Sequence, residues 1–320
     1  MSSKKLPGVL TRLEAAAAAF SHAGPALIGV SGGRDSVALL HALVKGGARE
    51  LVVCHLDHGL RRGSAADVQF VKELAAQHGL SVDVGNENVC SLAERMGVSV
   101  ETAAREARYG FFARVARERG IHRLLLAHHA DDQVETLLFR LFRGAGPGGL
   151  RGMQTETTRV VDGVELHIAR PLLGVWREEI DAYLAHHGLA FCEDPSNADP
   201  RHTRNRIRHE LLPLLSEVFG RDVRRSVWRA AEILRAEDDL LSGQVPAPES
   251  ELSVVELHEM PEAMQRRTVH RWLVENGIGN VGFTEVESVR SLLTGRRARI
   301  NLPGNRCARR RAKKLFLANA

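Results

Sequence analysis

Apolar residues in the first half of the chain come in short runs, separated by stretches with helical spacing. Ala26–Val30 predicts a strand, with a helix over Ser36–Lys45 behind it, and Leu51–Leu56 predicts a second strand. Over Ser64–His78 the residues Val68, Val71, Leu74 and Ala75 share one helical face. Leu80–Val84 predicts a third strand, Ser99–Arg119 a long charged helix and Arg123–Ala127 a fourth strand. The helix that follows lines up Val134, Leu137, Leu138 and Leu141. Strands alternating with helices mark parallel βαβ units, whose crossovers are right-handed, so the fold class expected is α/β with a doubly wound parallel sheet.

The alternation breaks at Arg143–Met153, "RGAGPGGLRGM", where five glycines and a proline predict a mobile active-site loop. Beyond it Trp176, Ile180, Tyr183 and Leu184 fall on one helical face. Phe191–Arg208 is polar and turn-rich, and helices are expected from there to about Leu241. Gly243–Glu251 has the composition of a linker. The expected organisation is a nucleotide domain over 1–217, a helical linker over 218–250 and a small basic domain over 251–320, either α+β or helical.

Composition narrows the classes. The 320 residues are 44% hydrophobic and 26% charged, as in a globular protein. Cys54, Cys90, Cys192 and Cys307 are dispersed without a Cys-x-x-Cys pair, which argues against an iron–sulfur site or disulfide framework and suits a cytoplasmic protein. No apolar run approaches the roughly 18 residues of a membrane span, and the N-terminus leads into no signal-like core. The net charge of +5 is unevenly placed. Residues 288–320 hold ten Lys or Arg and no acid, and 201–229 hold eight Arg against three acids. Only six of the 44 basic residues are Lys, so Arg-rich coding is the bland explanation; a nucleic-acid partner is the sharper one.

Chemistry enters at Ser31–Ser36, "SGGRDS", between the first strand and its helix. Gly32 and Gly33 let backbone N–H groups approach phosphate oxygens, Ser31 and Ser36 add hydroxyls, and the helix N-terminus adds its dipole. Asp35 would repel phosphates unless it binds the Mg²⁺ that travels with them. Without the Gly-Lys-Ser/Thr ending of the kinase-type loop, a plain strand–turn–helix connection is the alternative. "SGGRDS" resembles the loop of the N-type ATP pyrophosphatases, which grip the pyrophosphate of ATP while a substrate oxygen attacks the α-phosphorus. That likeness implies a Rossmann-like fold of the adenine nucleotide alpha hydrolase type. It also implies ATP and Mg²⁺ as cofactors, with Ser31, Gly32, Gly33, Arg34, Asp35 and Ser36 holding ATP and Asp35 the metal.

Four further segments refine it. In "CHLDHGLRRGSAAD", Cys54–Asp67, Asp57 ends the second strand, where a nucleotide's ribose is often read. In "ETAAREARYGFF", Glu101, Arg105 and Arg108 can share a helical face as a plain ion-pair row. "LAHHADDQVETLLFRLFRG", Leu126–Gly144, puts His128 and His129 at a strand end and Asp131, Asp132 and Glu135 in a helix start. Such acids are ordinary dipole partners, and a zinc reading lacks further ligands. "FCEDPSNADPRHTRNRIRHELLPLL", Phe191–Leu215, is an Arg-rich loop entering a helix. The last segment closely resembles one found in tRNA(Ile)-lysidine synthetases (also called synthases), as do "AREARYGFF" and "ARPLLGVWREEIDAYL", and more weakly "LPGNRCARRR".

This resemblance implies a ligase that joins lysine to C2 of the wobble cytidine of the isoleucine tRNA with a CAU anticodon. An adenylated cytidine is the intermediate, and AMP and pyrophosphate are released. It implies catalytic roles for Arg108, His128 and Asp132, lysine binding by Glu135, and tRNA contacts by Arg201, Arg204, Asn205, Arg206 and Arg208. It also allows a homodimer and implies no membrane partner. A tRNA thiolase would share the loop and the His-His motif, but it needs a persulfide cysteine or an iron–sulfur cluster. A nucleotide-binding RNA module without catalysis is the other rival.

Overall fold

The computed structural model describes residues 6–59, 64–193, 203–247, 250–295 and 297–319. They form two compact units, one of residues 1–136 with 153–224 and one of 137–152 with 225–320. Residues 225–250, read from the sequence as part of a linker, thus lie in the second unit, as does the Gly-rich segment 143–152.

The first unit runs α1 (Leu6–Ser21), β1 (Ala26–Gly29), α2 (Arg34–Lys45), β2 (Leu51–Asp57), α3 (Ser64–Gln77), β3 (Ser81–Asn86), α4 (Val89–Met96), α5 (Val100–Arg119) and β4 (Arg123–Leu125). Helix α6 (Ala130–Leu141) starts in this unit and ends in the other, which also holds the short α7 (Pro147–Leu150). The chain returns through β5 (Glu156–Val161), β6 (Val164–Ala169), α8 (Arg177–His187) and α9 (Thr203–Arg206). A π-helical segment, Ile207–Leu211, then leads into α10 (Leu212–Val218).

The sheet order is β3-β2-β1-β4-β6-β5, parallel except where β5 meets β6. Strand residues alternate between two cores, as a pleat demands. Ala26, Ile28, Leu51, Val53 and Leu125 point to the face packed by α1, α2 and α8. Leu27, Val52, Cys54, Leu124 and Leu126 point to the face covered by Tyr109, Phe111, Phe112 and Val115 of α5. Helices on both sheet faces bear out the doubly wound expectation. The β5–β6 hairpin corrects it, because its antiparallel edge strand had no counterpart in the expected element order. It turns on Asp162 and Gly163, both at positive φ (50° and 75°), as a tight hairpin turn requires.

The chain leaves β1 outward to β2 and β3, then crosses back to β4 on the other side of β1. Strand order therefore reverses between β1 and β4, and the crevice at their carboxyl ends is where this class of sheet binds ligands. Both the Ser31–Ser36 loop and the His128–Asp132 segment leave the sheet there.

Behind the sheet, His41 Nδ1 lies 2.8 Å from the Tyr183 hydroxyl, and its ring centroid is 4.9 Å from that of His187. Burial, with His187, His78 and Lys45 adding and Glu14 opposing, lowers the His41 pKa from 6.5 to about 4. The folded protein therefore keeps this ring neutral while the unfolded chain protonates it. Stability is present above pH 6.5 and is lost as the pH falls toward 4. Urea midpoints are expected to drop over that window, and His41→Gln to flatten the drop; an unchanged slope would contradict this assignment.

The second unit contains α11 (Arg224–Gly243), whose first residue belongs to the other unit, then β7 (Glu251–Ser253), α12 (Val254–Glu259), α13 (Glu262–Glu275) and α14 (Phe283–Thr294). Strands β8 (Arg299–Leu302), β9 (Arg306–Arg311) and β10 (Lys314–Asn319) complete it. An antiparallel sheet ordered β7-β10-β9-β8 packs with α13 and α14 around Trp272, Val269, Val289 and Leu315. Part of its basic segment is spent internally. Arg310 donates to the carbonyls of Leu292, Leu293 and Gly295 and so caps α14; Arg290 pairs with Glu287 and Lys314 with Glu251. In the Gly-rich segment, Arg140 donates to the carbonyls of Gly149 and Gly152, and Arg151 lies 3.5 Å from Asp238. Among the described residues no helix is long and apolar enough to cross a membrane.

Candidate active site

The β1–α2 loop is built before any ligand arrives. Gly32 takes φ +86°, a left-handed conformation that favours glycine, and its carbonyl accepts from the Cys192 N–H at 2.9 Å. Ser31 Oγ accepts from the Gly33 N–H at 3.2 Å and lies 3.3 Å from Ser36 Oγ, which donates to the Gly33 carbonyl. Gly33 caps α2 with extended backbone and no side chain, so the first-turn N–H groups keep no side-chain cap. Uncapped N–H groups at a helix start are an anion site. The Arg34 guanidinium instead bonds Asp181 at 2.9 Å and stacks on Phe191, so its backbone N–H is what it offers to a phosphate.

Asp35 points toward the β4–α6 segment. Its Oδ2 is 3.8 Å from His129 Nε2 and 3.7 Å from Arg177 Nη1, while its buried Oδ1 has no hydrogen-bond partner. Burial pushes its pKa up, against the pull of His129 and Arg177. A buried carboxylate oxygen without a donor is a group waiting for a cation. A phosphate-bound Mg²⁺ needs only one or two protein carboxylates, and Asp35 fits that role.

The pair His128–His129 divides its work, and sequence reasoning chose only one member. His129, 1% exposed, sits between Asp35, Asp131 (3.7 Å) and Asp132 (3.6 Å). It also caps α6, because Asp132 Oδ2 reaches back to accept its N–H at 3.0 Å. The half-buried His128 has an Nδ1 without a partner. Burial lowers its pKa to about 3, with Arg108, Arg170 and Arg105 adding and Asp132 opposing. Near neutral pH it is an uncharged imidazole, able to hydrogen-bond a phosphoryl oxygen but not to neutralise it. The doublet of histidines was the available signal for His129; its spacing could not say which ring meets Asp35.

The acids divide similarly. Asp131 accepts the Arg177 N–H at 2.9 Å and Arg224 Nη1 at 2.7 Å, which ties the start of α6 to that of α8 and to Arg224. Asp132 and Glu135 meet Arg208 instead. Arg208 Nε donates to Glu135 Oε1 at 2.6 Å and Nη2 lies 3.4 Å from Asp132 Oδ1. Burial raises the Asp132 pKa, but His129, His128 and Arg208 outweigh it and the net direction is down. At Glu135, 4% exposed, burial outweighs Arg208 and the direction is up. Arg208 belongs to the π-helical segment, whose extra residue per turn re-aims side chains.

The other expected residues are spread more widely. Asp57, at the carboxyl end of β2, accepts from the Gly59 N–H at 2.9 Å and from Asn86 Nδ2 at 3.3 Å. Arg108 feels Arg105 and Arg204, and burial sets the downward direction of its pKa. Arg204 lies 3.4 Å from Glu101, whereas Arg206 pairs outward with Glu210 at 3.2 Å. Asn205 lies on α9 between them. Arg201 falls outside the described residues. Arg177 and Arg170 were not foreseen, since each reaches the site only through the fold.

Known proteins resemble the chain in sequence and in fold. Residues 9–215 match a family model described as the PP-loop domain, and residues 252–316 match one described as the TilS substrate binding domain. The tRNA(Ile)-lysidine synthase of Geobacter sulfurreducens is 39% identical over 87% of this chain and 61% of its own length. That of Thermus thermophilus is 39% identical over 92% and 56%. That of Salinispora arenicola is 36% identical over 93% and 91%. The chain thus spans between half and two thirds of the first two relatives. Among solved structures, the U34-tRNA thiolase NcsA from Methanococcus maripaludis, with its [4Fe-4S] cluster, shares the fold. It has TM-score 0.55 at 12% identity, covering 74% of this chain and 82% of that one.

Proposed function

The chain belongs to the tRNA(Ile)-lysidine synthase family of PP-loop proteins, and on that premise we propose that it makes lysidine. In this reading ATP lies over the Ser31–Ser36 loop, with its pyrophosphate on the backbone N–H groups and on the Ser31 and Ser36 hydroxyls. Asp35 would hold Mg²⁺ in part, and the ion would offset the phosphate charge. O2 of the wobble cytosine, lifted from its stack, attacks the α-phosphorus, the bond to the β-phosphate oxygen breaks and pyrophosphate leaves. Arg108 and His128 face the α-phosphoryl group, the first as a cation and the second as a neutral hydrogen-bonding ring. Free lysine then displaces AMP at C2. Glu135, backed by Arg208, is placed to hold the ammonium group of lysine, and Asp132 fixes the loop that carries both histidines.

The observation that carries this reading is the meeting of Asp35 with the His129–Asp132 cluster across the β1/β4 switch point. It joins a pyrophosphate loop to the acids that open α6, beside which Glu135 would meet the lysine ammonium. Substrate tRNA(Ile) with a CAU anticodon, ATP and labelled L-lysine form the test. Label is expected in the RNA only when all three are present, with one AMP formed per lysine. Incorporation of sulfur, or ADP as the nucleotide product, would overturn it.

A further inference from the structure

Three arginines, Arg105, Arg108 and Arg170, gather near His128, and Arg204 lies beside Arg108. Arg105 and Arg108 lie on α5, Arg170 follows β6, and Arg204 lies on α9. Arg108, Arg170 and Arg105 each lower the His128 pKa, and Arg105 and Arg204 each lower that of Arg108. Among the described residues only Arg204 has a carboxylate within ion-pair distance, Glu101 at 3.4 Å. The Nε atoms of Arg108 and Arg170 are buried without hydrogen-bond partners, as is His128 Nδ1. Arg170 is only 6% exposed, and its Nη1 is anchored on the Gln154 carbonyl at 2.7 Å.

The rest of the site is different. Arg34 has Asp181, Arg177 has Asp35, Arg208 has Glu135 and Arg224 has Asp131. Like charges held close together in a partly dry site repel one another, and a fold keeps such a group where an anion completes it. The fold also supports the cluster deliberately. The ring of Tyr109, 1% exposed, holds Arg105 at 5.2 Å, and the same residue supports the charge of Arg170. One α-phosphate brings a single negative charge, less than this cluster can take.

We propose that Arg105 and Arg170 join Arg204, already expected to contact tRNA, in binding a backbone phosphate of the RNA beside the reacting base, leaving Arg108 and His128 for the nucleotide. This rests on the lysidine reading. The phosphates of ATP are the other source of the same chemistry, and the experiment separates them. Full-length Arg105→Gln, Arg170→Gln and the double variant are compared with wild type for RNA KM, for RNA affinity against salt, and for ATP affinity without RNA.

Each single variant is expected to raise RNA KM roughly 5- to 30-fold and to shrink the log–log salt slope by about 0.7–1, with ATP affinity within about twofold. Weakened ATP binding with an unchanged slope would assign the cluster to the nucleotide and overturn the proposal. No change in either would make it structural and overturn it equally. Arg105 is exposed, so its variant reads the contact even if Arg170→Gln disturbs folding. Wild type that makes no lysine-dependent product would fail the lysidine reading instead, while the salt slopes would still decide the phosphate contact.

Discussion

Asp35→Asn is expected to slow pyrophosphate release from ATP by about 10²–10³-fold while leaving the melting temperature unchanged or higher. The two readouts separate because the carboxylate serves chemistry at the expense of the fold. Burial raises its pKa, so ionisation costs the folded state: the contribution of this one group to stability is greatest below the ordinary pKa of 3.8 and declines as the pH rises through the folded value. Asn keeps the shape, loses the charge and removes that cost. His129 and Arg177, at 3.8 and 3.7 Å, lose an ionic neighbour, but His129 stays within reach of Asp131 and Asp132, and the partly exposed Arg177 guanidinium can turn to water. Calorimetry with a pyrophosphate-coupled assay checks both sides. A variant of undiminished activity, or one that melts lower, would show that Asp35 is a structural cap rather than a ligand of the phosphate-bound cation.

Arg208→Ala is expected to lower the free energy of unfolding by about 3 kcal/mol and to abolish lysine transfer. Its guanidinium is the near partner of Glu135 at 2.6 Å and lies 3.4 Å from Asp132, so its removal strands the buried Glu135, while Asp132 keeps the His129 N–H. The primary-structure reading made Arg208 a tRNA contact, which predicts something else: intact stability, weaker RNA binding and a shallower salt slope. A double-mutant cycle with Glu135→Gln distinguishes the two. Coupling of 1 kcal/mol or more between the sites supports an internal role, and additivity would return Arg208 to the RNA surface.

The legibility of this site followed the range of the interactions involved. "SGGRDS" could be interpreted alone because glycines, hydroxyls and a helix start act within six residues. The strand–helix alternation was legible because both sheet faces are buried and leave near-continuous apolar runs. The β5–β6 hairpin was missed although Asp162-Gly163 is a strong turn signal. Its strands carry Glu156, Arg159, Glu165 and His167, and charged residues on a half-exposed edge hide the apolar period. The split between Asp131 and Asp132 was illegible because Arg177, which claims Asp131, lies 46 residues downstream. Arg208 turns inward from a π-helical segment that no local pattern announced. Arg170 is basic in sequence and buried in the fold, and only tertiary packing tells the two conditions apart.

In the proposed reaction one site breaks ATP between its α- and β-phosphorus atoms and parks AMP on RNA before lysine arrives. A chase measures this directly. With [α-³²P]ATP, Mg²⁺ and tRNA(Ile) carrying a CAU anticodon, label is expected in the RNA without lysine, matched by pyrophosphate. Unlabelled lysine should then release it as AMP while the RNA gains the mass of lysidine. Label that never enters the RNA, or that lysine fails to displace, would contradict the account.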